Sequence, residues 1–318
     1  MAETPATFGG SGWTARQGTH AEDVRSGALW HPCGVWDEWS PLESVLLSRP
    51  SAVFATPGDP EEWLMLSWPD LEQLQREHAR VRDFFESQGV EVHVHQPSTP
   101  PPPNYLFMRD LVFMTPEGAI VGRPASAARA AEARFAQAAL AELGVPVIAS
   151  LRGMATMEGA DCLWLDAQTV LVGEGIRTNA AGVRSVSEAL APMGVTVCTV
   201  PVPPGAQHLL GVMVPLDRDL AVVDVDRVSP RLAGLLADHG VRTIAVPANE
   251  ENRGRRGMNG VVLGPREWVM PSGCPGIRAQ LEKEGVKVHE LGVDAAVQAA
   301  GALGCLTAVI RRRRPPAR

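Results

Sequence analysis

Apolar positions along the chain fall into short runs paired across tight turns, each pair followed by an amphipathic stretch of helical period and one more apolar run. The first such unit has Leu111-Val-Phe-Met, a turn at Pro116-Glu-Gly118, Ala119-Ile-Val, a helix over about 127–143 and the strand Val145-Pro-Val-Ile148. The second has Cys162-Leu-Trp-Leu, a turn at Asp166, Thr169-Val-Leu-Val, a helix near 181–191 and Val195–Val200. The third runs Gly211-Val-Met-Val, a turn at Asp217-Arg-Asp219, Leu220-Ala-Val-Val, a helix opened by Ser229-Pro230, and Arg242–Val246. The fourth runs Gly260-Val-Val-Leu, a turn at Pro265-Arg266, Trp268-Val-Met, a helix over about 275–284 and Val286–His289. Unit starts recur roughly every fifty residues, which makes this a repeat rather than a chance run of hairpins.

A fifth unit is assembled from both ends. Leu306–Ile310 supplies one strand, Leu42–Leu47 another, and a helix over about 69–87 followed by Val90–Val94 completes it. Five units that begin in one half-unit and finish in its complement close into a ring. The predicted fold is therefore α/β: a five-bladed pseudo-symmetric propeller of ββαβ units closed by the two termini. The expected layout is a loosely held arm over residues 1–30, with order beginning near Trp36, one catalytic domain over 31–311, and a basic, disordered tail over 312–318.

Composition narrows the function. The chain has 318 residues, 45% hydrophobic and 20% charged, with a net charge of −7, enough for a sizeable core and a poor match to nucleic acid or an anionic membrane. No apolar run reaches the roughly 18 residues that span a bilayer, and the N-terminus lacks a secretory pattern, so a cytoplasmic location is expected. Five cysteines, at 33, 162, 198, 274 and 305, form no C-x-x-C pair and have no histidine at ligand spacing beside them. Neither a disulfide framework, nor a metal site, nor a cofactor is expected.

The repeat also brings chemistry together. The residues just before the first strand of each unit are Arg109-Asp110, Glu158 to Asp161, Gln207-His208, Met258-Asn259 and Gly304-Cys305. Pseudo-symmetry sets these corners around one axis. A thiol, an imidazole, an amide and carboxylates should meet there, with Cys305 at the start of a strand. One histidine and one cysteine among hard oxygens make a poor metal site and a good nucleophile with acid–base support. Carboxylates would blunt a thiol unless the substrate brings positive charge. A guanidinium does so: it pairs with carboxylates in forked hydrogen bonds and offers an electrophilic carbon.

Several motifs carry a likeness: Pro103 to Asp110, Arg123-Pro124, Arg129-Ala-Ala-Glu132, Glu158-Gly-Ala-Asp161, Gly175-Ile-Arg-Thr-Asn179, His208-Leu and Gly304-Cys-Leu-Thr307. In this order and register the chain, from about Ser40 to Arg311, resembles the guanidino-group-modifying superfamily, the penteins. These include dimethylarginine dimethylaminohydrolases, which it resembles most together with arginine deiminases, and glycine amidinotransferases. The resemblance implies Cys305 as nucleophile, His208 as acid and base, and Glu158 and Asp110 as the guanidinium clamp. It also implies Asp161, Asn104 and Asn259 among the substrate contacts, and Arg129 and Arg177 on a substrate α-carboxylate.

Three departures qualify the likeness. Ala160 replaces the second glycine of the usual Gly-Gly-Asp. Leu210 stands where relatives carry an Asp two residues after the histidine. Asn104 stands where dimethylargininases have an acid, a deiminase-like feature. The pocket thus holds less negative charge and suits a bulkier or partly apolar N-substituent. The expected function is a cysteine-dependent hydrolase of an arginine derivative's guanidine, with amidino transfer to a primary amine as the alternative and an inert binding module as a third reading. The expected partner is a small guanidino compound; the sequence leaves homo-oligomerisation open. The other cysteines, with His93, His95 and His289, read as structural, and the polar segment 249–257 as either a lid over the axis or a surface loop.

Overall fold

The computed structural model describes residues 3–315. Its strands form five three-stranded sheets among the described residues, and each has the same plan. In blade 1, β3 (Val112–Thr115) turns tightly into β4 (Gly118–Val121) and α4 (Glu132–Leu143) leads to β5 (Val147–Ser150). Blade 2 has β6 (Cys162–Asp166), β7 (Thr169–Glu174), α5 (Ala180–Leu190) and β8 (Thr196–Pro201). Blade 3 has β9 (Met213–Asp217), β10 (Leu220–Asp224), α6 (Pro230–Asp238) and β11 (Arg242–Val246). Blade 4 has β12 (Val261–Gly264), β13 (Glu267–Pro271), α7 (Pro275–Lys283) and β14 (Lys287–Leu291). In each blade the middle strand is antiparallel to the strand before it and parallel to the one after the helix. The crossover through a helix is what lets the third strand run parallel to the second.

Blade 5 draws on both ends of the chain. Here β1 (Leu42–Ser48) is the middle strand, antiparallel to β15 (Ala308–Arg312) and parallel to β2 (Glu91–His95) across α2 (Leu71–Ser87). The five-bladed α/β ring and its closure are therefore as the sequence predicted. The middle strands are almost continuously apolar and buried, as in Val170, Leu171 and Val172 or Ala221, Val222 and Val223, because each is covered on both faces. The helices pack their apolar stripes outside the sheets, Leu232 and Leu236 of α6 and Ile277 and Leu281 of α7 being fully covered.

Order extends further toward the N-terminus than composition implied. Thr19 and Glu22 form a capping box that starts α1 (His20–Ser26), and Val24 is buried against the core. Gly34 then donates to Ile310 O at 2.9 Å beside the closing strand. At the other end Arg312 belongs to β15 rather than to a tail: it is buried and donates to Ser40 O at 2.7 Å. Residues 316–318 of the expected basic tail lie outside the described residues. No helix among the described residues is long and apolar enough to cross a membrane.

Candidate active site

Blades 1, 2, 3 and 5 are each entered through a short helical turn, and polar residues lie in or beside these turns. Asn104 lies in a 3-10 turn (Pro103–Leu106) and Asp110 in α3 (Met108–Leu111). Glu158 precedes the turn Gly159–Asp161, and His208 precedes Leu209–Gly211. Cys305 lies within α9 (Leu303–Leu306), one turn ahead of β15, and not at the start of the strand itself. The turns meet backbone to backbone. A Cβ on Gly159 would lie 2.5 Å from Arg109 O, and one on Gly304 would lie 2.9 Å from Gly260 O. Only glycine allows neighbouring corners to approach so closely. Ala160, by contrast, has no left-handed φ, so its methyl group is accommodated.

Cys305 is held at both ends by one side chain. Asn259 Nδ2 donates to its Sγ at 3.1 Å, while Asn259 Oδ1 accepts from its backbone N at 3.1 Å. Burial and the Asp110 carboxylate push the thiol above its ordinary value, against the opposing pull of Arg256 and the Asn259 bond. His208 Nε2 bonds Glu158 Oε2 at 2.7 Å, and its Nδ1 lies 3.9 Å from Asp110 Oδ1. Burial would favour the neutral ring, but Asp110, Glu158 and Asp161 outweigh it and raise His208. Burial likewise works against the Glu158 carboxylate, yet Arg129, His208 and Arg177 hold it well below the usual range.

Five of the expected site residues take roles that the sequence did not foresee or only half foresaw. Arg129 is buried and every N–H is engaged: Nε and Nη2 on Glu132, Nη1 on Asp110 Oδ2 (2.7 Å) and Glu158 Oε2 (3.0 Å), Nη2 also on Asn104 O. It has no donor left for a substrate carboxylate, so the expectation of carboxylate binding by Arg129 is corrected; it neutralises three buried acids instead. Glu158 is buried behind His208 with both oxygens engaged, one of them shared with Arg177 at 3.2 Å. Asp161 accepts from Thr178 Oγ1 at 2.6 Å and Leu209 N at 2.9 Å, which anchors the His208 turn. Neither acid is on the wall of the two clefts beside Cys305; each is hydrogen-bonded to His208 or to the turn that follows it. Asn104 Nδ2 is spent on Trp63 O, but its Oδ1 is buried and unpartnered; so is Asp110 Oδ1. These two orphan acceptors are what a cation with N–H donors would satisfy. Arg177, 11% exposed along its side chain, keeps a place on the wall.

Two clefts flank the nucleophile, and both include His208 and Cys305. The smaller, about 20 Å³, is lined by Asn104, Phe107, Asp110, Arg177 and Ala300. Leu64 and Ala300 on its rim adopt left-handed φ of 59° and 66°, a conformation that costs energy and is concentrated at functional sites. The larger, about 140 Å³, is cationic, with Arg227, Arg253 and Arg256 beside Asn259 and Leu210. Segment 249–257 thus supplies part of its wall, through Asn252, Arg253 and Arg256. Sequence reading missed these arginines and Glu132. The i, i+3 spacing of Arg129 and Glu132 was a legible signal; Arg253 and Arg256 lie in the segment read as a lid or a surface loop, and nothing local marked Arg227. Asp110, Glu158 and His208 bring three possible metal ligands within 4.8 Å, but Arg129 already pairs with Asp110 Oδ2 and Glu158 Oε2 as the resident cation.

The class these observations define is one of fold: the five-bladed α/β ring is shared with the solved guanidino-modifying enzymes described below, as the likeness in the motifs implied. Residues 93–232 match the arginine deiminase family. A dimethylarginine dimethylaminohydrolase of Streptomyces coelicolor is 37% identical over 100 residues, covering 31% of this chain and 38% of that protein. Among solved structures, the dimethylarginine dimethylaminohydrolase of Pseudomonas aeruginosa in complex with citrulline superposes with a TM-score of 0.68 at 19% identity, covering 84% of this chain and 98% of that one. The amidinotransferase SxtG of Microseira wollei gives 0.72 at 17% identity, covering 89% and 98%. The product-bound N-terminal domain of ArgZ, a cyanobacterial arginine dihydrolase, gives 0.73 at 17% identity, covering 86% and 99%.

Proposed function

We propose that this chain is a cysteine-dependent hydrolase of the guanidine group of an arginine derivative, working through an amidino group carried on Cys305. The observation that supports it most is the pair of unpartnered acceptors, Asp110 Oδ1 and Asn104 Oδ1, in the cleft that also holds His208 and the thiol. A guanidinium would satisfy both oxygens through N–H groups in one plane and would lower the thiol's pKa on arrival. After the thiol proton has left to solvent, sulfur attacks the central carbon. The imidazolium of His208 gives its proton to the departing nitrogen as the C–N bond breaks. Neutral His208 then takes a proton from water as that water adds to the carbon, and the C–S bond breaks to free the thiolate. The likeness to dimethylarginine dimethylaminohydrolases and to ArgZ supports this reading.

The arginine-lined cleft on the other side of Cys305 favours a second reading, transfer of the amidino group to a primary amine that carries an anionic group. Incubation with arginine and N-methylated arginines, with and without candidate amines, separates the two. Citrulline formed without an acceptor supports hydrolysis, and ornithine formed only with one supports transfer. If neither product forms and a chloroacetamidine probe fails to label Cys305, the third reading, an inert binding module, replaces both.

A further inference from the structure

Away from the catalytic corner, three side chains from distant parts of the chain converge at the seam of blade 5. Glu91 and His93 are two residues apart on β2 and so share one face of the strand. His31, between α1 and β1, is brought to that face by its backbone N, which donates to Gly144 O at 2.9 Å. The imidazole rings of His31 and His93 are 5.0 Å apart and perpendicular. Both Nε2 atoms are buried and neither has a hydrogen-bond partner. Glu91 lies beside both: Oε1 is 3.4 Å from His93 Nε2 and Oε2 is 4.0 Å from His31 Nε2. All three ligand atoms fall within 4.8 Å of one another.

We propose that His31, Glu91 and His93 form a binding site for a divalent transition-metal ion of the zinc class, separate from the catalytic centre. Two imidazoles and one carboxylate are a borderline donor set that suits such an ion and leaves one position to water. Zinc bonds of about 2.0–2.1 Å set neighbouring tetrahedral ligands about 3.4 Å apart, the His93 to Glu91 distance already present. Only the half-exposed Glu91 carboxylate has to swing toward His31. Its present neighbour, Arg311 Nη2 at 3.6 Å from Oε2, also has Glu43 at 3.1 Å and can release it. A metal ion there would staple the segment before β1 to the last strand of blade 5, next to the Gly34 to Arg311 bridge where the chain ends meet. His93 reads as structural in sequence because its partner imidazole lies far upstream.

The test uses the full chain without a histidine tag, stripped with chelator and titrated with zinc by calorimetry, with X-ray absorption to read the ligand set. One ion per chain with only nitrogen and oxygen ligands is expected. His31→Ala and His93→Gln, each confirmed folded by circular dichroism, should weaken binding at least tenfold, whereas Cys305→Ser should leave it unchanged. A hundredfold excess of zinc over Kd should raise Tm by about 5 °C in the parent and not in the two variants. Undiminished binding in both histidine variants, sulfur among the ligands, loss of binding in Cys305→Ser, or no ion bound at about 1 mM zinc would each overturn the proposal.

Discussion

Asp110 acts on the site in two opposing ways, and the opposition is testable. One oxygen is tied to Arg129 while the other is an unpartnered acceptor in the cleft, so on the proposed reading the residue would receive the cation, while it raises the Cys305 thiol. A thiol held above its ordinary value is mostly protonated at neutral pH, so alkylation by neutral iodoacetamide should climb with pH and reach its midpoint above that of a free cysteine. In Asp110→Asn the midpoint should move down, because the carboxylate that opposes the thiolate is gone. Turnover should nevertheless fall about 10–100-fold, as a hydrogen bond to a charged group worth about 1.5–3 kcal/mol is lost. A midpoint that stays or rises in Asp110→Asn, read from alkylation rates across pH, would show that Asp110 does not set the thiol's acidity.

At the level of elements, the corners matter more than the blades. Gly304→Ala would put a Cβ 2.9 Å from both Asn259 Oδ1 and Gly260 O, and the backbone of Gly260 cannot yield cheaply. Asn259 must move, loosening its hold on Cys305 N and Sγ. Because that bond favours the thiolate, the alkylation midpoint should rise, with stability reduced by about 1–3 kcal/mol in urea unfolding. The strands were legible in the sequence because buried middle strands are written as unbroken apolar runs, such as Val170–Val172 or Leu220–Val223. The corners were legible only as positions. A single helical turn such as α9 has no period to detect, so Cys305 was read as the head of a strand. The burial of Arg129 among Asp110, Glu132 and Glu158 was hidden for a related reason: its acids come from three turns on two blades, and spacing reports only Glu132. His208, Asn259 and Cys305 line one cleft, the convergence that the repeat register leads one to expect.

The ring as a whole has one seam, and the chain's two ends make it. In the other four blades the middle strand follows its antiparallel partner through a tight turn, so that pairing is local. In blade 5 the same pairing joins β1 to β15 across nearly the whole sequence. Loop-closure entropy makes such a contact the last to be rewarded in folding, and no turn holds it once lost. Deleting residues 308–318 would remove β15, strip Val45 and Leu46 of their cross-strand partners Val309 and Ala308, and release α9 with its thiol from the axis. That variant should show no cooperative unfolding transition by calorimetry and no labelling by an amidine probe. Deleting only residues 314–318 leaves β15 (Ala308–Arg312) whole. It takes away a contact of the Arg314 guanidinium over Trp36 at 5.7 Å, worth about 0.5–1 kcal/mol, and should shift Tm by no more than about 2 °C. If the longer deletion melted as sharply as the shorter one, the blades would be standing independently, and the convergence of five corners on Cys305 would need another cause than ring closure.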